Sequence, residues 1–183
     1  MTDALNILFA RVLEHLDPEP YREGLEETPA RAAKAWRFWC GGYDQNPEDV
    51  LKAFEDGAAG YDEMVTVKDI PIYSQCEHHL ASIFGTATIS YVPVGKVVGL
   101  SKLARLADVF ARRLQVQERL TVQIADALSL HVSPHVGVQL KCRHLCMESR
   151  GIQKPGTHTM TTALRGSLKD DASSRAEFLE ACK

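Results

Sequence analysis

The residue pattern changes at Met64, and this change constrains the fold more than any other feature of the sequence. Before it, apolar residues recur at helical spacing and β-branched residues are scarce, so residues 1–60 are predicted to form an N-terminal helical segment. After it, β-branched residues and apolar–polar alternation predict strands around one long stretch with helical spacing. We therefore expect residues 61–183 to form an α+β domain with a largely antiparallel sheet and helices on one face.

Capping residues and prolines mark the expected ends of the elements. In the N-terminal segment the predicted helices cover residues 5–16, 28–40 and 47–54. In the domain the predicted strands cover 64–73, 84–92, 96–99, 136–147 and 157–164, and the helical stretch covers 102–131. Residues 115–117 can divide that stretch into two helices.

Composition narrows the class of protein. The chain has 183 residues, of which 45% are hydrophobic, and a formal net charge of −3. One well-buried domain is expected at this size, and the balanced charge argues against nucleic acid or a membrane as partner. No apolar run reaches the ~20 residues of a membrane span, and the N-terminus lacks the basic-then-apolar order of a signal peptide. We therefore expect a cytoplasmic protein.

Two short clusters contain both cysteine and histidine. The first, Cys76-Glu-His-His79, directly follows a predicted strand, and a Cys and a His three residues apart can bind one Zn²⁺ from a turn. The second, His144-Leu-Cys146, lies in the predicted strand 136–147, where alternate residues share a face. Two thiolates with an imidazole favour Zn²⁺ over Mg²⁺ or Ca²⁺. The predicted ligands are Cys76, either histidine of the first cluster, and Cys146.

The other three of the five cysteines are expected to be core residues. Cys142 would lie about 13 Å from Cys146 along an extended strand, too far for two Zn–S bonds of ~2.3 Å. Cys40 and Cys182 have no histidine or other cysteine within four residues. Spacing alone leaves open a structural zinc site with four protein ligands, or a cysteine nucleophile. The surplus imidazoles favour an open catalytic site, because such a site needs acid–base groups beside the metal.

Basic residues near a predicted helix start indicate an anionic substrate. Lys102 and Arg105 follow Ser101 in the first turn, where the helix dipole favours anions over cations. A bound phosphate would resolve this conflict, and Arg150 is the expected third cation. Glu118 is of the residue type that can accept two hydrogen bonds from the edge of a guanine.

Five motifs together resemble the GTP cyclohydrolase I family, in that family's order and spacing. They are Asp62-Glu-Met-Val-Thr-Val67, Cys76-Glu-His-His79, Gly99-Leu-Ser-Lys102, Gln115-Val-Gln-Glu-Arg-Leu120 and His144-x-Cys146-x-x-x-Arg150-Gly151. The resemblance implies the tunnelling fold and a zinc-dependent enzyme that hydrolyses the guanine imidazole ring of GTP at C8. Its products would be formate and 7,8-dihydroneopterin triphosphate. It also implies pentameric rings that pair into a homodecamer, a multi-subunit β-barrel with active sites between subunits.

The resemblance assigns a role to each site residue by its position in the motifs. It implies Cys76, His79 and Cys146 as zinc ligands, and His78 and His144 as acid–base residues. The implied substrate-binding residues are Arg31, Glu77, Ser101, Lys102, Arg105, Gln117, Glu118 and Arg150, with Gln117 and Glu118 at the purine. The rival interpretations are another tunnelling-fold enzyme that acts on a purine or pterin, and a non-catalytic, zinc-stabilised binding module.

Overall fold

A computed structural model describes residues 3–55, 58 and 60–183 of the chain. The chain forms two compact units that divide between Gly41 and Gly42, whereas the predicted segment boundary lies at residue 60. The residues after Gly41 join the second unit through backbone hydrogen bonds. Gly42 donates to the carbonyl of Arg112 at 2.9 Å, and Ala53–Phe54 pairs with Val97–Val98.

The first unit contains two helices, both predicted. Helix α1 (Ala4–Leu16) begins at Asp3, whose carboxylate accepts a backbone N–H of the first turn. Helix α2 (Thr28–Trp39) has proline in its first turn, where the missing N–H costs no hydrogen bond. The rings of Phe9 and Trp36 stack with centroids 6.5 Å apart, which joins the two helices.

The second unit contains both helices and strands. In chain order its elements are α3 (Pro47–Val50), β1 (Ala53–Phe54), β2 (Val65–Cys76), β3 (Ser82–Tyr91), β4 (Val97–Val98), α4 (Leu100–Ala111), β5 (Leu114–Gln115), α5 (Gln117–His131), β6 (Val136–His144), α6 (Leu145–Glu148), β7 (Thr159–Arg165), α7 (Ser167–Asp170) and α8 (Ala172–Ala181). The predicted division of the long helical stretch is confirmed by the gap between α4 and α5. Among the described residues, none of the helices is long and apolar enough to cross a membrane.

Five strands form the main sheet, in the order β5-β2-β3-β6-β7. The four long strands are antiparallel neighbours, as predicted, and the short β5 runs parallel to the end of β2. A bulge between Val67 and Ile70 interrupts the β2–β3 ladder, and Asp69 within it has a φ of 56°. A separate antiparallel pair joins β1 to β4.

The two faces of the sheet are covered by different helices. Helices α4 and α5 cover one face, where Val136 and Val138 of β6 are fully buried in the main core. The intervening Gly137 points the other way, since successive strand residues alternate. A Cβ atom on Gly137 would lie 2.7 Å from Phe178 and 2.8 Å from Leu168. Helices α7 and α8, which the sequence did not predict, therefore contact the opposite face.

Two predicted boundaries were wrong. Strand β6 ends at His144 and the chain turns into α6, although a strand was predicted through Met147. The ladder with β3 ends at the pair Ile83–His144, so no strand partner supports an extended chain beyond it. Helix α3 ends at Val50, and Phe54, which was predicted to be helical, lies in β1.

Candidate active site

The first Cys–His cluster lies in the turn that joins β2 to β3. Cys76 ends β2 and is 5% exposed. Its N–H donates to the carbonyl of Ala81 and its carbonyl accepts from the N–H of Leu80, both at 2.8 Å. Leu80 adopts the left-handed conformation, with φ at 54°, and so reverses the chain. The turn brings Nδ1 of His79 to 3.7 Å from Sγ of Cys76.

Cys146 reaches the same point from helix α6. The pairing of β6 with β3 places His144 opposite Ile83, beside the turn. One ligand atom from each of Cys76, His79 and Cys146 then lies within 4.8 Å of the other two. The predicted proximity is present, but the predicted reason was wrong, because a helical turn and not the face of a strand directs Cys146. Cys142 remains on β6, fully buried in the core as expected.

This cluster suits a tetrahedral metal ion. Two thiolates on one zinc ion lie about 3.8 Å apart, and a thiolate and an imidazole nitrogen about 3.6 Å apart. Small side-chain rotations would close the separations here, which are up to 4.8 Å. Two sulfurs and one nitrogen are the donor set that zinc favours. Within the described part of the chain no fourth Cys, His, Asp or Glu belongs to the cluster, so a tetrahedral ion bound by these three residues would keep one position open.

The electrostatics of the two thiols also favour a cation. Burial raises the pKa of Cys146, and the hydrogen bond and charge of Cys76 raise it further. The positive charge of Arg150 acts in the opposite direction, so Arg150 lies within electrostatic range of the cluster. Two adjacent thiolates repel each other, and a divalent cation bound between them would compensate their charge.

Two further histidines flank the cluster. Nδ1 of His78 lies 4.0 Å from Sγ of Cys76, and the His78 side chain is 63% exposed. His144 is half-buried, with Nε2 at 2.8 Å from Oε1 of Gln117. Burial lowers the pKa of His144, whereas the carboxylates of Glu118 and Glu148 act to raise it. The net shift favours a neutral imidazole, which can accept a proton from a reacting group.

A cavity of about 170 Å³ connects these groups. Seven predicted site residues line it, namely Cys76, His78, His79, Gln117, Glu118, His144 and Cys146, together with Ile83, Gln115 and Val116. Ser101, Lys102 and Arg105 lie at the start of α4 and do not line this cavity. Arg31 lies on α2 in the first unit. Within the second unit a single chain therefore brings together the predicted metal, acid–base and purine groups, with Arg150 in electrostatic range, whereas Ser101, Lys102 and Arg105 are not part of this cavity.

Two predicted substrate-binding side chains are already bound by the protein. Glu77 forms an ion pair with Arg119, whose hydrogen bond holds the pKa of Glu77 below its ordinary value against the opposing effect of burial. Gln117 is 1% exposed and its amide donates to neighbouring strands. Sequence reasoning missed Arg119 and Gln115, which are joined by a 3.0 Å hydrogen bond. No local pattern signalled this contact, because Gln115 ends β5 and Arg119 lies in the first turn of α5.

Comparison with known proteins points to one family. The sequence model described as GTP cyclohydrolase I matches residues 6–183. A protein named GTP cyclohydrolase 1 from Janthinobacterium sp. (strain Marseille) is 60% identical over 170 residues, which is 92% of this chain and 86% of that protein. The protein of the same name from Nitrosospira multiformis is 56% identical over 92% of this chain and 89% of its own length. Another from Brucella canis is 49% identical over 88% of this chain and 76% of its own length.

Proposed function

The chain belongs to the GTP cyclohydrolase I family, and we propose a zinc-dependent route for the reaction that this family catalyses. That reaction hydrolyses the guanine imidazole ring of GTP at C8, releases formate and forms 7,8-dihydroneopterin triphosphate. The observation that supports zinc is the approach of Cys76, His79 and Cys146 to within 4.8 Å. The tunnelling fold expected from the sequence agrees with membership of this family.

The proposed metal ligands are Cys76, His79 and Cys146. A zinc ion held by these residues would lower the pKa of a bound water towards about 7 and so supply a nucleophile at neutral pH. Ile83 and Val116 add apolar side chains to the lining of the cavity beside these ligands.

His144 and His78 are the proposed proton carriers. Ring opening removes a proton from the attacking water and adds one at N7 of the guanine. His144 suits the first step because burial lowers its pKa and so favours the neutral ring, and once protonated it can return the proton to N7. His78 is more exposed and suits exchange of protons with solvent.

The protein would bind GTP through both its guanine and its triphosphate. Glu118 lines the cavity and is proposed to accept hydrogen bonds from N1–H and the 2-amino group of guanine. Ser101, Lys102 and Arg105, at the N-terminus of α4, are proposed to bind the triphosphate, with Arg150 and Arg31. Glu77 is also proposed to contact the substrate in this pocket. Its carboxylate is paired with Arg119, so it would have to share that ion pair with the substrate or give it up.

We propose that neighbouring copies complete the site. Ser101, Lys102 and Arg105 do not line the cavity of their own chain, so another copy would supply these three. The expected assembly is a homodecamer of two pentamers. Helix α1 also carries an exposed apolar stripe, which another copy could cover in such an assembly, since Leu8, Val12 and Leu16 are 57%, 46% and 78% exposed.

The proposed location is the cytoplasm. All five cysteines are unpaired, as expected in a reducing compartment.

Metal dependence is tested with the zinc-loaded protein and GTP. We expect release of formate and, after oxidation, a fluorescent pterin. Cys146→Ala should lose both its zinc and this activity, whereas the control Cys40→Ala, which changes a cysteine of the first unit, should retain both. Full zinc content and full formate release in Cys146→Ala would reject the ligand assignment.

The acid–base assignment is tested with His144→Asn. This variant should keep its zinc and lose most formate release, because a proton carrier typically contributes about 10²–10⁴-fold to the rate. Loss of zinc would instead identify His144 as a ligand, and unchanged turnover would exclude it from proton transfer.

A further inference from the structure

We propose that Gln117 is a positioning residue that fixes the tautomer of His144, and that it does not bind the purine through its side chain. The proposal rests on the proposed function, in which His144 transfers protons. It is carried by a set of hydrogen bonds around the Gln117 amide, which lies at the start of α5 and is 1% exposed.

The first step concerns the orientation of the Gln117 amide. Nε2 lies 3.0 Å from the carbonyl oxygen of Thr159 and 3.3 Å from that of Leu140. Carbonyl oxygens only accept hydrogen bonds, so the side of the amide that faces them must be the NH₂ group. The opposite orientation would place Oε1 against two carbonyl oxygens in a buried site, which is strongly unfavourable.

The second step concerns two threonine hydroxyls on the same side of the amide. The hydroxyl of Thr121 donates to the backbone carbonyl of Gln117 at 2.7 Å, which uses its one proton. It must therefore accept from the hydroxyl of Thr161, at 2.6 Å. The hydroxyl of Thr161 is then left to accept from Nε2 of Gln117, at 3.0 Å. Nε2 thus faces three acceptors, which share its two hydrogens, and all three contacts require the same orientation of the Gln117 amide.

The third step concerns His144. With the NH₂ group used on the other side, Oε1 of Gln117 can only accept, and Nε2 of His144 lies 2.8 Å from it. Nε2 of His144 must therefore carry a hydrogen, because two lone pairs would otherwise face each other. A neutral imidazole has one N–H, so its Nδ1 carries the free lone pair. The hydrogen bonds between α5, β6 and β7 thus make Nδ1 the atom that accepts the proton during the reaction.

The group that is hydrogen-bonded to one ring nitrogen of a histidine commonly controls the reactivity of the other nitrogen. A wrong tautomer presents an N–H to the group that should lose its proton, so turnover falls while substrate binding persists. Loss of such an orienting partner typically costs about 10- to 100-fold in activity. A substrate-binding glutamine would behave differently, since its loss would raise KM and leave the histidine unchanged.

The direct test is solid-state NMR of zinc-loaded protein labelled with ¹⁵N-histidine. The His144 ring signals are assigned by their absence in His144→Asn. We expect Nε2 of His144 to carry a hydrogen in the unaltered protein. A neutral ring with its hydrogen on Nδ1 would overturn the proposal, whether or not a Gln117 variant folds.

The matched variants are Gln117→Met and Gln139→Met. Gln139 is also a buried glutamine, 8% exposed, and donates to a β7 threonine, Thr162, at 3.3 Å. It is not among the residues that line the cavity. Gln117→Met should give a mixture of His144 tautomers and lower kcat by about 10- to 100-fold with little change in KM for GTP. Gln139→Met should match the unaltered protein in both respects.

Two results would contradict the positioning role. One is a Gln117→Met protein with a raised KM, an unchanged kcat and an unchanged His144 spectrum, which would make Gln117 a substrate-binding residue. The other is an equal loss of kcat in Gln139→Met, which would trace the effect to sheet stability. If the unaltered protein releases no formate, the proposed function fails, but the NMR result still decides the tautomer.

Discussion

Gly85→Ala is expected to force apart the two central strands of the sheet. Gly85 lies in β3 opposite Cys142 of β6. A Cβ atom at this position would lie 2.1 Å from the carbonyl oxygen of Lys141 and 2.6 Å from Cα of Cys142. Ordinary contacts begin at 3.4 Å, and the obstructing atoms belong to the backbone. The strands must therefore separate locally by about 1 Å, because no side chain can rotate out of the way.

The size of the effect follows from two contributions. Overpacking of this kind costs about 1–3 kcal/mol. If the two neighbouring ladder hydrogen bonds are also lost, they add about 1 kcal/mol each. The free energy of unfolding should fall by about 3–5 kcal/mol in total. For a chain of this length, that corresponds to a decrease in Tm of roughly 6–20 °C.

The assay is thermal unfolding of the zinc-loaded protein, followed by far-UV circular dichroism at one fixed protein concentration. Tryptophan fluorescence would be less informative, since Trp36 and Trp39 both lie in α2 of the first unit. The control is Gly24→Ala, where a Cβ atom would meet no heavy atom within 4 Å. Formate release should fall as well, because the same ladder holds His144 opposite Ile83. If Gly85→Ala and Gly24→Ala had the same Tm, a Cβ atom at Gly85 would not be obstructed by the backbone of β6.

Four other outcomes follow from the structure. Removal of zinc in air should allow Cys76 and Cys146 to form a disulfide, because freed thiols lie close together; an unchanged thiol count would reject this. Burial raises the pKa of Cys142 from 9.0 to about 12, so above pH 9 the folded chain retains a proton that the unfolded chain loses. Stability therefore falls as pH rises there, and Cys142→Ala should make that fall less steep in urea unfolding from pH 8 to about 10.5; equal slopes would contradict this. Glu118→Ala should weaken discrimination between GTP and ATP, measured as inhibition of formate release by ATP; unchanged inhibition by ATP would exclude the purine role. Asp171→Ala should lower Tm and increase proteolysis near α8, since its carboxylate accepts the N–H of Ser174 at 2.7 Å; an unchanged digestion pattern would show that this cap does not hold the helix.

Local features of the site could be read from the sequence because they depend on neighbouring residues. The spacing in Cys76-Glu-His-His79 closes a turn by itself, and the turn is present with His79 close to Cys76. Alternation and β-branched residues likewise predicted the long strands of an antiparallel sheet. The prediction failed at Leu145–Glu148, where apolar residues continued but the partner strand ended.

The chemistry of Gln117 could not be read in this way. A glutamine at the start of a helix is ordinarily exposed, and the family motif alone suggested a contact with the purine. Its side chain is buried because β6 and β7 pass across the start of α5, and Thr159 and Thr161 come from a distant part of the chain. Only those contacts distinguish a residue that touches the substrate from one that orients a histidine.

The sequence by itself determined which atoms could form a site, since cysteine, histidine, glutamate and arginine side chains carry their chemistry wherever they lie. It also determined the secondary structure that depends on local periodicity. The tertiary structure decided which of those atoms meet. Pairing of β3 with β6 and the turn into α6 bring Cys146 to Cys76, and burial lowers the pKa of His144. The physical reason is that hydrogen-bond pairing and burial join residues far apart in the chain, and no local pattern records those contacts.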